Sequence, residues 1–226
     1  MNEAQTVFVV DDDQAARESL RWLLESVGHR VRCHASAQDF MSAYDGASPG
    51  CLVLDVRMPG MSGLELQEHL RERGWCLPVI VVTGHGDVPM AVRAMRGGAV
   101  DFLQKPYNDQ VLLDSIQRAL ELCAQRSLER RKRARIQTAY LMLSPREREV
   151  AEMVVNGNAN KVIAIDLGLS PKTVEAHRAN AMEKMKARTL SELVRMFMLL
   201  EQGREELEFD YAPGPGPGRV QDQIRV

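Results

Sequence analysis

The sequence predicts two folds in one chain: a doubly wound α/β domain built on a five-stranded parallel sheet, followed by a small all-α domain of four helices. Three observations carry this reading. Over the first 120 residues, short apolar runs alternate five times with amphipathic stretches, the rhythm of β–α units that place helices on both faces of a parallel sheet. Beyond residue 143 strand signals stop and helix-start signals take over. Charge divides at the same place: residues 1–124 carry 17 acidic against 11 basic side chains, whereas residues 125–202 carry 15 basic against 9 acidic. An acidic half joined to a basic half suggests that only the second meets a polyanion.

Taken in order, residues 7–10, 31–34, 52–54, 79–82 and 100–103 read as strands, and residues 14–26, 37–43, 63–73, 88–96 and 110–122 as the helices between and after them. The runs VFVV, LVLD and VIVV are continuously apolar, as strands covered on both faces must be. A helical pattern continues from about 108 to 140 and ends in the basic run RSLERRKRARIQ, so the first domain (1–124) passes through a helical linker (125–142). The second domain (143–202) opens at Ser144-Pro145-Arg146-Glu147, a capping box with proline in the first helical position, and Ser170-Pro171 repeats the Ser–Pro start. Its helices fall at 145–156, 160–167, 171–186 and 190–200, with a turn through Gly168 to Ser170. The end, containing YAPGPGPG, has no periodicity, and residues 203–226 read as a disordered tail.

Composition narrows the classes. The 226 residues, 45% apolar and 27% charged, suit two small globular cores, and no apolar run approaches the roughly 18 residues of a membrane span. The N-terminus MNEAQTVFVVDDD lacks the basic and apolar regions of a signal peptide, so a cytoplasmic protein without a membrane partner is expected. Cys33, Cys51, Cys76 and Cys123 lie far apart with no CxxC pair, which argues against zinc and against a disulfide framework and leaves buried reduced thiols.

Chemistry gathers at the strand ends. Asp11, Asp12 and Asp13 follow VFVV and Asp55 ends CLVLD; in a parallel sheet both groups reach the same edge. Carboxylates brought that close raise one another's pKa unless a cation lies among them, and an all-oxygen set favours Mg²⁺. Thr83 closes VIVVT with a hydroxyl, and Lys105 follows DFLQ with a positive charge. Each alone is commonplace, since Asp after a strand usually caps a helix. Together they are the parts that stabilise charge on a transferring phosphoryl group.

With VVDDD, LVLDVRMPGMSG, VIVVTGHGD and FLQKPY, residues 7–120 resemble the receiver domain of bacterial two-component response regulators, a flavodoxin-like fold, and TGHGDVPMAVRAM resembles the FixJ type. The resemblance implies that Asp55 accepts a phosphoryl group from a sensor histidine kinase. It implies that Asp11 and Asp12 hold Mg²⁺ with Asp55 and the backbone carbonyl of Arg57. Thr83 would be the switch hydroxyl, Lys105 the phosphate-binding lysine and Phe102 the aromatic that changes rotamer, with Lys105-Pro106 a cis peptide. Asp13, where relatives often have Glu, and Tyr107, where Phe is common, are the departures.

In the second domain LSPREREVAEMVVNG, NKVIAIDLGLS and PKTVEAHRANAMEKM resemble the LuxR-type helix-turn-helix of FixJ and NarL regulators. On the third helix Val174, Ala181 and Met185 recur at helical spacing and should face the core, with His177 beside them as a packed, hydrogen-bonded histidine. The other residues, Lys172, Thr173, Glu175, Ala176, Arg178, Ala179 and Asn180, form the DNA-reading surface: Arg suits guanine, Glu cytosine and Ala the thymine methyl. Asn160, Lys161 and Lys184 suit phosphates, which set register without carrying sequence information.

The resemblance further implies a homodimer on phosphorylation, and a changing face of residues 88–97 and 100–103 that in the family is a dimer interface or a docking surface for the DNA-binding domain. Such a dimer would bind an imperfect inverted repeat of double-stranded DNA and activate transcription with RNA polymerase. Two alternatives stand beside it. One is a Mg²⁺-dependent phosphohydrolase with Asp55 as nucleophile, for which residues 55–63 are too short to hold a cap. The other is a receiver that serves only as a dimerisation platform.

Overall fold

The computed structural model describes residues 5–210, with side chains described to residue 201. Two compact units meet between Leu128 and Glu129.

In the first unit β1 (Thr6–Val10), β2 (Arg30–His34), β3 (Gly50–Asp55), β4 (Val79–Thr83) and β5 (Asp101–Gln104) form one sheet in the order β2-β1-β3-β4-β5. Every pairing is parallel. Between them run α1 (Gln14–Ser26), α2 (Ala37–Ala43), α3 (Gly63–Glu72) and α4 (Val88–Arg96), and α5 (Asp109–Leu141) follows β5. The side-chain period of two sorts each strand between two cores. Phe8, Val10, Leu52, Leu54, Val79 and Val81 pack with Ala37, Phe40, Leu64, Leu66, Leu70 and Ala94 of α2, α3 and α4. Val7, Val9, Cys51, Val53, Ile80 and Val82 pack with Leu20, Leu24, Leu112 and Ile116 of α1 and α5. The expected doubly wound sheet is present, with strand bounds one or two residues from the sequence reading.

Caps explain where the helices start. The Asp13 carboxylate accepts from the amides of Ala15 and Ala16, Ser36 caps α2, Ser62 and Glu65 close a capping box on α3, and Asp87 accepts from Met90 ahead of a proline in α4. α5 is one helix of 33 residues. It takes in both the expected last receiver helix and the basic linker, because no glycine or proline interrupts it.

The second unit contains α6 (Pro145–Val155), α7 (Asn160–Leu167), α8 (Pro171–Met185) and α9 (Leu190–Asp210). Its core joins Val150, Val154, Ile163, Val174, Ala181, Met185, Leu193 and Phe197. α7 stops at Gly168, whose φ of +65° is the left-handed conformation that glycine adopts without strain.

Three expectations change. α9 continues to Asp210, so residues 203–210 of the expected tail are helical; the rest of that tail, 211–226, lies outside the described residues. Of the cysteines only Cys51 and Cys123 are buried; Cys33 is half-buried and Cys76 exposed, because Cys76 lies in the loop before β4. His177 is half-buried on α8, and its ring has no hydrogen bond among the described residues. Among the described residues no helix is long and apolar enough to cross a membrane.

Candidate functional site

The strand order reverses between β1 and β3, and such a switch point leaves a crevice beyond the carboxyl ends of the strands. Val10 pairs with Leu54, so the next residues, Asp11 and Asp55, emerge side by side. Both are buried, at 1% and 6% exposure. Lys105 directly follows the end of β5, and the Lys105-Pro106 peptide that comes after it is cis. Its Nζ donates to Asp11 Oδ2 at 2.6 Å and to Asp55 Oδ1 at 2.9 Å. The Arg57 amide donates to Asp55 Oδ2 at 2.7 Å, and the Asp13 amide to Asp11 Oδ1 at 2.9 Å. Thr83 is fully buried at the end of β4, and its hydroxyl accepts from the His85 amide at 3.3 Å.

The electrostatics follow from burial. Loss of water pushes the Asp55 carboxyl above its ordinary pKa; Lys105 pulls it down, Asp11 pushes it further up, and the net shift is upward. For Lys105 burial works downward, but the two carboxylates outweigh it and the ammonium is held more firmly protonated. Asp55 rises in spite of its salt bridge because burial, with a smaller push from Asp11, outweighs what Lys105 returns.

Of the residues expected here, Asp11, Asp55 and Lys105 converge and Thr83 ends the neighbouring strand. Asp12 is exposed, and Arg57 turns its side chain to solvent. Phe102 is half-buried on β5. Two hard-oxygen carboxylates already gathered on a cation fit Mg²⁺. Among the described residues no three His, Cys, Asp or Glu side chains stand in metal-holding geometry, so Asp12 would have to turn inward to complete the set.

Sequence reasoning overlooked two supports. The Arg17 guanidinium donates to the Asp11 carbonyl at 2.6 Å and ties α1 to the acidic edge. Gly63, the first residue of α3, packs against the Asp55 carbonyl so closely that a Cβ there would lie 2.1 Å from that oxygen. The glycine in DVRMPGMSG was visible, but its neighbour was not.

On α8, Val174, Ala181 and Met185 are buried, while Lys172, Glu175, Ala176, Ala179 and Asn180 are exposed and Thr173 and Arg178 half-buried. The Ser170 side chain accepts from the Thr173 amide and shares a 2.8 Å hydrogen bond with the Thr173 hydroxyl, which draws Thr173 into the cap. Arg178 Nη1 donates to Asn160 Oδ1 at 3.3 Å, which joins α8 to the first residue of α7, and Lys161 is exposed beside it. Lys184 has a partner within the protein: its Nζ lies 2.6 Å from Glu147 Oε2, and Glu147 is 5% exposed. That contact holds α8 to α6 and competes with the phosphate role expected of Lys184.

A parallel sheet carrying a buried acid–lysine cluster at its switch point, in one chain with a capped helix-turn-helix, defines the class of response regulators with a DNA-binding output. Residues 7–117 match the family model described as response regulator receiver domain, and residues 141–197 match bacterial regulatory proteins, luxR family. The chain is 52% identical over 199 residues to the transcriptional regulatory protein FixJ of Azorhizobium caulinodans, covering 88% of this chain and 94% of that protein. It is 41% identical over 204 residues to the response regulator protein TodT of Pseudomonas putida, covering 90% of each. Among solved structures, the response regulator StyR is similar with a TM-score of 0.79 at 44% identity, over 86% of this chain and 98% of that one. The chain belongs to the family of FixJ- and TodT-like two-component response regulators, and it is a transcription regulator with receiver and LuxR-type DNA-binding domains, not an enzyme. Receiver domains as a class bind Mg²⁺ at their acidic phosphorylation site and are phosphorylated by histidine kinases; LuxR-type regulators bind DNA.

Proposed function

We propose that Asp55 accepts a phosphoryl group from a phosphohistidine of a sensor histidine kinase, and that this turns on dimerisation and sequence-specific DNA binding by the second domain. The observation that carries the reading is the Lys105 ammonium held between Asp11 and Asp55. It supplies a positive charge at the acceptor carboxylate before any phosphoryl group arrives, so little reorganisation is needed when negative charge builds there. Mg²⁺ would be held by Asp11, Asp12, Asp55 and the Arg57 carbonyl, and when bound it neutralises phosphoryl oxygens. Once Asp55 is converted to its acyl phosphate, with the P–N bond of the phosphohistidine broken, its share of Lys105 passes to the phosphoryl oxygens. The Thr83 hydroxyl turns from the His85 amide toward them, and Phe102 moves into the space Thr83 leaves.

That rearrangement biases the face of α4 and β5, where Val88, Val92 and Met95 are exposed apolar side chains suited to a second copy. The receiver (1–124) then acts through the helical linker (125–142) on the reader (143–202), and a dimer presents two α8 helices to an imperfect inverted repeat. Lys172, Thr173, Glu175, Ala176, Arg178, Ala179 and Asn180 face the major groove, with Asn160, Lys161 and Lys184 toward the backbone. The output is activation through RNA polymerase, in the cytoplasm.

The test is acetyl-phosphate labelling with Mg²⁺ on wild type and Asp55→Asn, followed by sizing and DNA titration. Labelling lost in the variant, with phosphate-dependent dimerisation and tighter DNA binding in wild type, is the expected result. A wild type that takes no label would reduce the receiver to a scaffold.

A further inference from the structure

The loop between β4 and α4 contains two glycines, Gly84 and Gly86, and neither uses the left-handed backbone region. Alanine would therefore be acceptable to the backbone at both. Their surroundings differ. A Cβ on Gly84 would meet nothing within 4 Å. A Cβ on Gly86 would lie 3.0 Å from Phe102 Cε1, 3.1 Å from Phe102 Cζ and 3.3 Å from Thr83 Cγ2. These distances are tighter than side chains ordinarily tolerate, and both neighbours are the residues assigned above to the switch. The geometry is that of the resting protein: Lys105 bridges Asp11 and Asp55, and the Thr83 hydroxyl is bonded to His85.

We infer that Gly86 is a positioning residue of the switch: its bare Cα is the seat on which the edge of the Phe102 ring rests before phosphorylation. The inference rests on the reading that Thr83 and Phe102 move together when Asp55 is phosphorylated. With no Cβ at 86 the ring lies against the loop and the Thr83 methyl, and this arrangement is favoured. A methyl there overlaps ring and Thr83 at once, and the end of the ring is the part free to leave. Any state with the ring off this seat is relieved of the overlap, and the phosphorylated state is such a state. Gly86→Ala should therefore shift the resting equilibrium toward the active form by roughly tenfold, equivalent to about 1.4 kcal/mol.

The experiment uses full-length wild type, Gly86→Ala, Gly84→Ala, Phe102→Ala and the Gly86→Ala/Phe102→Ala double variant. Dimerisation is measured by sedimentation with and without acetyl phosphate and Mg²⁺, and the ring is followed by fluorine NMR of fluorophenylalanine-labelled protein. Gly86→Ala should displace the Phe102 resonance and strengthen dimerisation of unphosphorylated protein about tenfold. Gly84→Ala should do neither, and the gain should vanish when Phe102 is alanine. Gly86→Ala behaving like Gly84→Ala, weakening dimerisation, or keeping its effect without the Phe102 ring would overturn the inference. A wild type that is labelled but shows no change in dimerisation would overturn the switch reading itself and the inference with it, a failure visible before any variant is compared.

Discussion

In the receiver unit Lys105 reaches two buried carboxylates at the reversal of the sheet; in the DNA-binding unit Lys184 reaches one buried carboxylate at the start of α6. The pairs look alike, at 2.6–2.9 Å, yet they move their acids in opposite directions. Asp55 is pushed up, because desolvation and the charge of Asp11 exceed what Lys105 returns. Glu147 is pulled down to about 2: the hydrogen bond from Lys184 is the largest cause, and the Ser144 amide, 2.8 Å away in the capping box, adds to it. One cluster keeps an acid short of compensation, as suits a group that is to be modified. The other satisfies its acid fully, as suits a rivet between helices.

Replacing each lysine or its partner sharpens the contrast. The largest expected effect is that of Lys105→Ala: Asp55 still accepts phosphate, but the gain in DNA affinity on phosphorylation is lost, equivalent to about 3 kcal/mol of coupling. Labelling and DNA titration on the same preparation check it, and a retained affinity gain would show that Lys105 is not the link from phosphate to output. Next is Glu147→Gln, which should destabilise the DNA-binding unit by about 2 kcal/mol, discounted because the Lys184 side chain is 41% exposed. The amides of α6 and α8 should exchange faster than in wild type, and exchange as slow as in wild type would contradict the expectation.

The same glutamate sets a pH dependence. Its folded pKa, about 2, lies below the ordinary 4.5, so its contribution to stability is complete above about pH 4.5 and is lost as pH falls toward 2. For Asp55 the sign is reversed: a raised pKa means that protonation relieves the folded state. Acid titration followed by hydrogen exchange should open α6 and α8 in that window, and Glu147→Gln should flatten the curve there. An unchanged curve in the variant would show that other acids control the transition.

Smaller effects are expected at the DNA surface. Arg178→Ala should cost about 1.5 kcal/mol on the operator and relax preference at one base pair. A uniform loss on all sequences would make Arg178 a phosphate contact. Asn160→Ala should cost only about 0.5 kcal/mol, part of it through the freed Arg178 guanidinium, and should cost less in the Arg178→Ala background. Full additivity would separate the two residues.

Much of this was legible in the chain because it is local. VFVV, LVLD and VIVV name strands by composition, and Ser–Pro starts name helices by the hydrogen bonds the first turn needs. Asp11, Asp55, Thr83 and Lys105 could be picked out because a parallel sheet sends every strand end to one edge. What the chain alone does not show is a contact that is distant or a local signal that is incomplete. Lys184 reads by its charge as a phosphate ligand, and nothing local in the chain shows that it also reaches Glu147, 37 positions away. Asp13 stands in the acidic run beside Asp11 and Asp12, yet it spends its carboxylate on the amides of α1, a capping role that the type of residue allows and the structure shows.

The sequence by itself determined which elements form, which faces are apolar and which residue types stand at the strand ends, since these follow from short-range periodicity, capping and turn chemistry. Only the tertiary structure decided who shares a charge with whom: Lys105 between Asp11 and Asp55, Lys184 on Glu147, Arg178 on Asn160. The physical reason is that a buried charge is set by whatever lies within a few ångströms in space. Chain closure over tens of residues, not the order of those residues, brings such neighbours together.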